Sequence, residues 1–106
     1  LQAAEAVQSV YAEAFEREMA SSVSEWLDRL PQAIGPCLWE RLSDSAAVVR
    51  WPDGRLRLCW QPLPDRVMGS IRLPRLAVAF RFEGLSAEQR AQFMRRFDLV
   101  LQRGGG

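Results

Sequence analysis

The spacing of hydrophobic residues changes along the chain, and each change predicts an element. From Ala3 to Met19 the apolar positions recur three or four apart, as Val7, Val10, Tyr11, Ala14, Phe15 and Met19. That spacing lines one face of a helix. Alanine richness and the Glu13–Arg17 spacing favour the same element. In 21–31, Ser22 and Glu25 stand at capping-box spacing before the apolar stripe Val23, Trp26, Leu27 and Leu30, and Pro31 punctuates the end. In 35–42, Pro36 suits a first helical turn and Leu38, Trp39 and Leu42 follow at helical spacing, which predicts a short third helix.

After Asp44–Ser45 the period falls to two. The β-branched stretch 46–51 and the alternating Leu56, Leu58 and Trp60 against Arg55, Arg57 and Cys59 flank Pro52–Asp53–Gly54. Proline presets φ there, and glycine is the expected carrier of a positive φ, so a hairpin is predicted. The stretch 61–65, with Pro62 and Pro64, reads as a second turn. Residues 67–73 and 75–83 read as two strands or one bent strand around Pro74, the latter placing Leu76, Val78, Phe80 and Phe82 opposite Arg75, Ala77, Ala79 and Arg81. Ser86 and Gln89 then open a helix over 87–103, with Phe93, Met94, Phe97, Val100 and Leu101 on one side and Gly104 at its natural stop.

The pattern predicts an α+β fold in the order α-α-β-β-β-α: N-terminal helices, an antiparallel three- to four-stranded sheet, and a C-terminal helix packed on that sheet. Length implies one domain over 1–106, with a helical segment 1–33, the sheet and last helix in 34–103, and a flexible tail 104–106. With 48% hydrophobic and 25% charged residues the composition is that of a folded globule. No apolar run approaches the roughly 18–20 residues that span a bilayer. The chain opens on Leu without a signal-peptide pattern, so flanking sequence is expected to be missing.

Charge and chemistry narrow the picture further. All fourteen basic residues are arginine, and there is no histidine; with the abundant Ala, Leu and Gly this suggests a high-GC bacterial source. Residues 1–53 hold nine acids and four arginines, net −5, and residues 54–106 hold ten arginines and four acids, net +6. The two halves therefore either pair internally or offer surfaces of opposite sign. Without imidazole, general-base work near neutral pH and the usual zinc sets are disfavoured. Cys37 and Cys59 match no metal or redox spacing and fit reduced thiols of a cytoplasmic protein. Cys37, at the start of the predicted third helix, is the one conceivable nucleophile, but no base accompanies it. No phosphate loop is present, and the scattered acids read as solvated charges.

What stands out is the arginine side of the predicted sheet. Arg55, Arg57, Arg75 and Arg81 alternate with core residues, and Arg50 joins them across the turn. Guanidinium groups on adjacent strands make a basic platform for carboxylates or phosphates. No aromatic residue interleaves with them to stack a base. Such a face is otherwise held soluble by its arginine stems or covered by the acidic N-terminal region, with Glu5, Glu13, Glu16, Glu18 and Glu25. The sequence leads to a non-catalytic protein-interaction or regulatory domain without cofactor or metal, forming a homodimer through its N-terminal helices. The alternative is binding of nucleic acid or an anionic nucleotide through Arg50, Arg55, Arg57, Arg75 and Arg81.

Overall fold

The computed structural model describes residues 10–104. The longest elements are the two strands that the alternation marked. β4 (Gly54–Met68) and β5 (Ile71–Glu83) pair antiparallel, with Leu56 opposite Phe82, Leu58 opposite Phe80 and Trp60 opposite Val78. All six side chains are buried, because directly opposed residues share a face and every second residue returns to it. β3 (Ala46–Trp51) joins β4 through the predicted Pro52–Asp53 turn.

Two further elements depart from the predicted order. Residues Ala14–Met19 form a strand, β1, where a helix was expected, and β1 pairs with β5. The predicted part of that helix in 3–9 lies outside the described residues. Residues Leu38–Ser43 form β2, paired with β3, in place of the third helix. Among the described residues of the N-terminal third, only α1 (Val23–Ile34) is helical. The sheet is therefore five-stranded, in the order β1-β5-β4-β3-β2, and the elements run β-α-β-β-β-β-α, ending in α2 (Ala87–Gly104).

Each departure has a local cause. β1 follows a period of two that its composition disguises: Phe15, Arg17 and Met19 are half-buried between exposed Ala14, Glu16 and Glu18. Arg17 takes an inward position, and its partner is Asp98 on α2, not Glu13. In β2, Trp39 faces the core opposite Val49 while Leu38 stays exposed. The backbone pairing with β3 outweighs a helical spacing of three residues. Pro31 sits inside α1; the helix continues because Ala33 and Ile34 are fully buried beyond it.

The helix starts were legible. Ser22 and Glu25 form the reciprocal capping box of α1, and Ser86 and Gln89 do the same for α2 at 2.9 and 3.1 Å. Gly104, expected as the stop, is the last residue of α2.

Because β1 and β2 are opposite edges of the sheet, α1 crosses beneath its whole width. Trp26 packs edge-on to Phe97 and tilted to Trp60, and Phe97 meets Phe80 in a T-shaped contact at 5.5 Å. A cluster at the β1 edge ties these layers together. Asp98 accepts from Arg17 at 3.1 Å and from the Tyr11 hydroxyl at 3.0 Å, and the Arg17 guanidinium lies over the Tyr11, Phe15 and Phe80 rings. Burial, and then the Asp98 carboxylate, push the Tyr11 hydroxyl above its usual pKa, which keeps it a donor.

The segment 61–65 is not a turn. Both prolines lie within β4, where one extra residue between Leu63 and Arg66 shifts the register against β5. Beyond Trp60 and before Leu76, neither β3 nor β1 continues, so 62–75 project as a two-stranded arm. Pro62, Pro64 and Pro74 all fall there, on open edges where a missing N–H costs no ladder bond. Gly69 turns the tip with φ +62°, the first central position of a two-residue hairpin that favours glycine.

Gly54 is required for another reason than the one the turn pattern suggested. Its φ is not positive, but a Cβ there would collide with the carbonyl oxygen of Glu83 and the backbone of Gly84. Gly54→Ala is therefore expected to cost about 1–3 kcal/mol by forcing strands apart, read as a lower urea midpoint with unchanged slope. A neutral effect would mean that the β3–β4 turn does not pack this closely on the end of β5.

Candidate functional site

Both helices of the described residues occupy the core side of the sheet, and no described element covers the opposite face. That face collects the arginines singled out by the alternation, arranged by the strand register into rows. Arg50 lies opposite Arg55, which lies opposite Glu83; in the next row Val48 lies opposite Arg57, Arg57 opposite Arg81, and Arg81 opposite Ala14. Arg75 stands further along β5, opposite Leu63. The five arginines are on one face, but they do not form one site.

Three of them are neutralised locally. Arg50 pairs with Glu40 at 3.2 Å and Arg55 with Glu83 at 2.6 Å. Arg75 grips Glu18 with two nitrogens, each at 2.8 Å, and Arg66 adds a third contact at 3.4 Å. The Arg75 guanidinium holds the Glu18 carboxyl below its usual pKa. Among the described residues, Glu18 is thus the one acid of Glu13, Glu16, Glu18 and Glu25 that pairs with an arginine of this face. It does so from an edge strand, which only the β1–β5 register could reveal.

Arg57 and Arg81 are different. They are directly opposed across β4 and β5, both are exposed, and neither has an ion-pair partner among the described residues. Like charges facing each other across a ladder are destabilising. This pair is the part of the predicted platform that remains available to something else.

Beside the pair the face turns small. Cys59 lies opposite Ala46 and Ala79, and Gln61 opposite Ala77. Cys59, Gln61, Ala77 and Ala79, with Ser45 and Glu16 at the sides, line a shallow trough of about 290 Å³. Glu16, on the outer side of β1, has no ion pair among the described residues. No aromatic side chain stands on this face in the paired register.

The arm adds what the sequence reading missed. Val67, Met68, Ile71 and Leu73 are 55, 52, 55 and 37% exposed. Met68 is opposite Ile71, and Leu73 follows on the same side of β5 as Arg75, so these three continue the bare face as an apolar stripe; Val67 faces the other way with Arg72. Four large hydrophobics around Gly69–Ser70 were visible in the sequence. The register that puts three on one side was not, because the extra residue between Leu63 and Arg66 resets it.

The thiol chemistry is altered as well. Cys37 lies in the bend between α1 and β2 rather than at a helix start, and burial raises its pKa against a weaker opposing pull from Arg96. A thiol so placed is poorly ionised. Among the described residues no group of three His, Cys, Asp or Glu side chains could hold a metal ion, and no helix is long and apolar enough to cross a membrane. Comparison of the chain with protein-family models and with curated proteins gave no match.

The Glu18–Arg75 contact has a pH signature. A carboxyl whose folded pKa is depressed contributes stability above its unfolded pKa, and that contribution disappears as pH falls through the folded value. The gap between wild type and Glu18→Gln in urea midpoint should therefore be constant near neutrality and close below about pH 4.3. A gap independent of pH would mean that Arg75 does not hold the Glu18 charge.

Proposed function

We propose that the protein is a non-catalytic interaction module that associates with a second copy of itself through the bare sheet face, the apolar stripe of each arm seated in the trough of the other. One observation carries this reading: a projecting stripe (Met68, Ile71, Leu73) and a trough floored by Ala77, Ala79 and Cys59 lie on the same face of one sheet. A twofold axis makes such a face self-complementary, since each copy offers what the other receives.

Three physical arguments support a second copy as the occupant. An isolated two-stranded ribbon is marginal in water, and packing its stripe against alanines removes apolar surface from solvent. The trough carries Glu16 without an ion pair beside Arg57 and Arg81 without one, so opposed copies can exchange acid for base. A five-strand sheet with its arm presents roughly 700 Å² at about 4.8 Å per strand and 3.3 Å per residue, close to the ~800 Å² per partner of a stable complex. Of the N-terminal segment through which the sequence predicted self-association, residues 14–19 form an edge strand and not a helix. Strand addition at the arm is opposed by Pro62, Pro64 and Pro74, which blunt its edges; side-chain packing is the mode that remains.

The test is sedimentation or light scattering at high micromolar concentration. Wild type should be dimeric, and Ile71→Asp and Ala79→Arg should each be monomeric, with an unfolding midpoint that no longer rises with protein concentration as the wild type's does. A monomeric wild type, or a dimer that survives both substitutions, overturns the reading.

The opposed Arg57–Arg81 pair favours one second reading, capture of a nucleotide or nucleic-acid phosphate. It requires affinity for RNA, DNA or a nucleotide that weakens with salt and is lost in the Arg57→Glu/Arg81→Glu double variant. Absence of binding at low salt eliminates it.

A further inference from the structure

The helix side of the sheet carries a groove that the self-association reading does not use. It runs along α2, beside the end of α1 and the bend into β2, as two cavities of about 380 and 420 Å³ that share Gln92 and Arg96. The first is walled by Ile34, Pro36, Cys37 and Trp51, the last packed edge-on to Phe93 at 5.4 Å. The second is lined by Val100 and by Leu99, which is 50% exposed, with Gln32 contributed by α1. Positions 89, 92, 93, 96, 99 and 100 recur three or four apart, so one flank of α2 supplies them all. From Gln89 to Val100 that flank is about 16 Å long at ~1.5 Å per residue, the reach of about five residues of extended chain.

The charge of the groove sits in its middle and has one sign. Arg96 stands where the two cavities meet, and Arg95 lines the second. Both are exposed, and neither has an ion pair among the described residues. No acid is among the residues lining either cavity. Asp98, three residues beyond Arg95, is committed to Arg17 and Tyr11. Arg96 is held across the groove by one bond, at 3.4 Å, to the Gln32 carbonyl. Its stem lies over Gly35, where a Cβ would collide with it. The other N–H donors of that guanidinium are left for another acceptor. Gln89 is spent on the Ser86 amide and Asp53, whereas the exposed Gln32 and Gln92 side chains bond no described residue.

The complement of such a groove is negative at its centre and apolar at both ends. An oligonucleotide lays down a phosphate at every nucleotide, but the cations here are confined to the middle. A small aromatic or aliphatic acid fills one cavity and leaves the other open. An extended peptide can place apolar side chains at both ends and carboxylates between them, where the guanidinium forks match their planar geometry. Its backbone also suits Gln32 and Gln92, whose amides both donate and accept.

We propose that this groove binds an extended acidic peptide of a partner protein, about five residues long. A bulky apolar side chain lies against Trp51 and Phe93, carboxylates meet Arg95 and Arg96, and a second apolar side chain rests on Leu99. The proposal goes beyond self-association, which uses the other face of the sheet.

The experiment titrates the ¹⁵N-labelled chain with the blocked pentapeptide Phe-Glu-Asp-Glu-Leu. Phe-Gln-Asn-Gln-Leu is the uncharged control, and Glu-Leu-Asp-Phe-Glu is the rearranged one. The Trp51 indole signal is assigned by its loss in Trp51→Phe, or by backbone-linked assignment of the wild type should that variant not fold. The acidic peptide should shift that signal and the Gln32 and Gln92 side-chain amides to saturation, and both controls should bind roughly tenfold more weakly or worse. Arg96→Gln and Arg95→Gln should each weaken binding roughly tenfold, the cost of a charge-assisted hydrogen bond. Arg72→Gln removes the same charge from the arm and should leave binding unchanged. An unmoved Trp51 signal, equal affinity for the uncharged peptide, or equal losses in Arg96→Gln and Arg72→Gln overturns the proposal. So does tighter binding of oligodeoxythymidylate at these resonances, which would assign the groove to nucleic acid. Movement of the same resonances on dilution of the chain alone would assign it to a second copy and overturn it too. The oligomeric state, read on the same samples, should not change with peptide, so failure here is distinguishable from failure of the self-association reading.

Discussion

The structure depends on the ladder between β4 and β5. Its pairs place Leu58 on Phe80, Leu56 on Phe82 and Trp60 on Val78 on one side, and Arg57 on Arg81 and Cys59 on Ala79 on the other. Two different surfaces follow from that single register. The apolar one recruits α1, α2 and the inward residues of the remaining strands into one core. The other stays bare, and its chemistry is set by whatever the strand positions between core residues happen to carry. A one-residue slip would bury the two arginines and expose the two phenylalanines, which is why the register is strongly determined.

The ladder was also the part of the fold most legible in the sequence. Alternation in 55–60 and 76–82 marked strands and faces correctly, and both capping boxes marked helix starts. Two strands escaped because inward positions were disguised. Arg17 in β1 reads as a solvent residue until Asp98, eighty-one positions away, is seen to receive it. In β2, Leu38 and Leu42 read as core but are exposed, while the inward partner of Val49 is Trp39. Those assignments rest on contacts that no local window contains. The prolines misled in a related way: a proline inside a strand normally argues against it, and Pro62, Pro64 and Pro74 are compatible with β4 and β5 only because neighbouring strands end before reaching them.

The candidate site was legible as a face and illegible as a pattern of charge. Five arginines on one side of a sheet suggest a uniform basic platform. Cross-strand neighbours decide otherwise: Glu40, Glu83 and Glu18 neutralise three of them, and the register leaves Arg57 and Arg81 facing each other beside a floor of alanines. The charge asymmetry between the chain's halves is resolved only in part, through Arg17–Asp98 and Glu18 with Arg75 and Arg66. Arg57 and Arg81, two of the arginines without an ion pair among the described residues, stand at the centre of the face that no described helix covers, next to Glu16 and in line with the apolar arm. The trough, the arm and the unmatched charges form one surface, and a second copy of it is the occupant proposed here.

Cys59 offers the most direct measurement of that claim, since it is exposed, lies on the floor of the trough and has Cys37 as the other thiol of the chain. In a Cys37→Ser chain, the rate at which Cys59 is alkylated should fall as protein concentration rises from low to high micromolar, and should stop depending on concentration when Ile71 is replaced by Asp. An alkylation rate that is the same across that range in the chain with Ile71 intact would contradict the account.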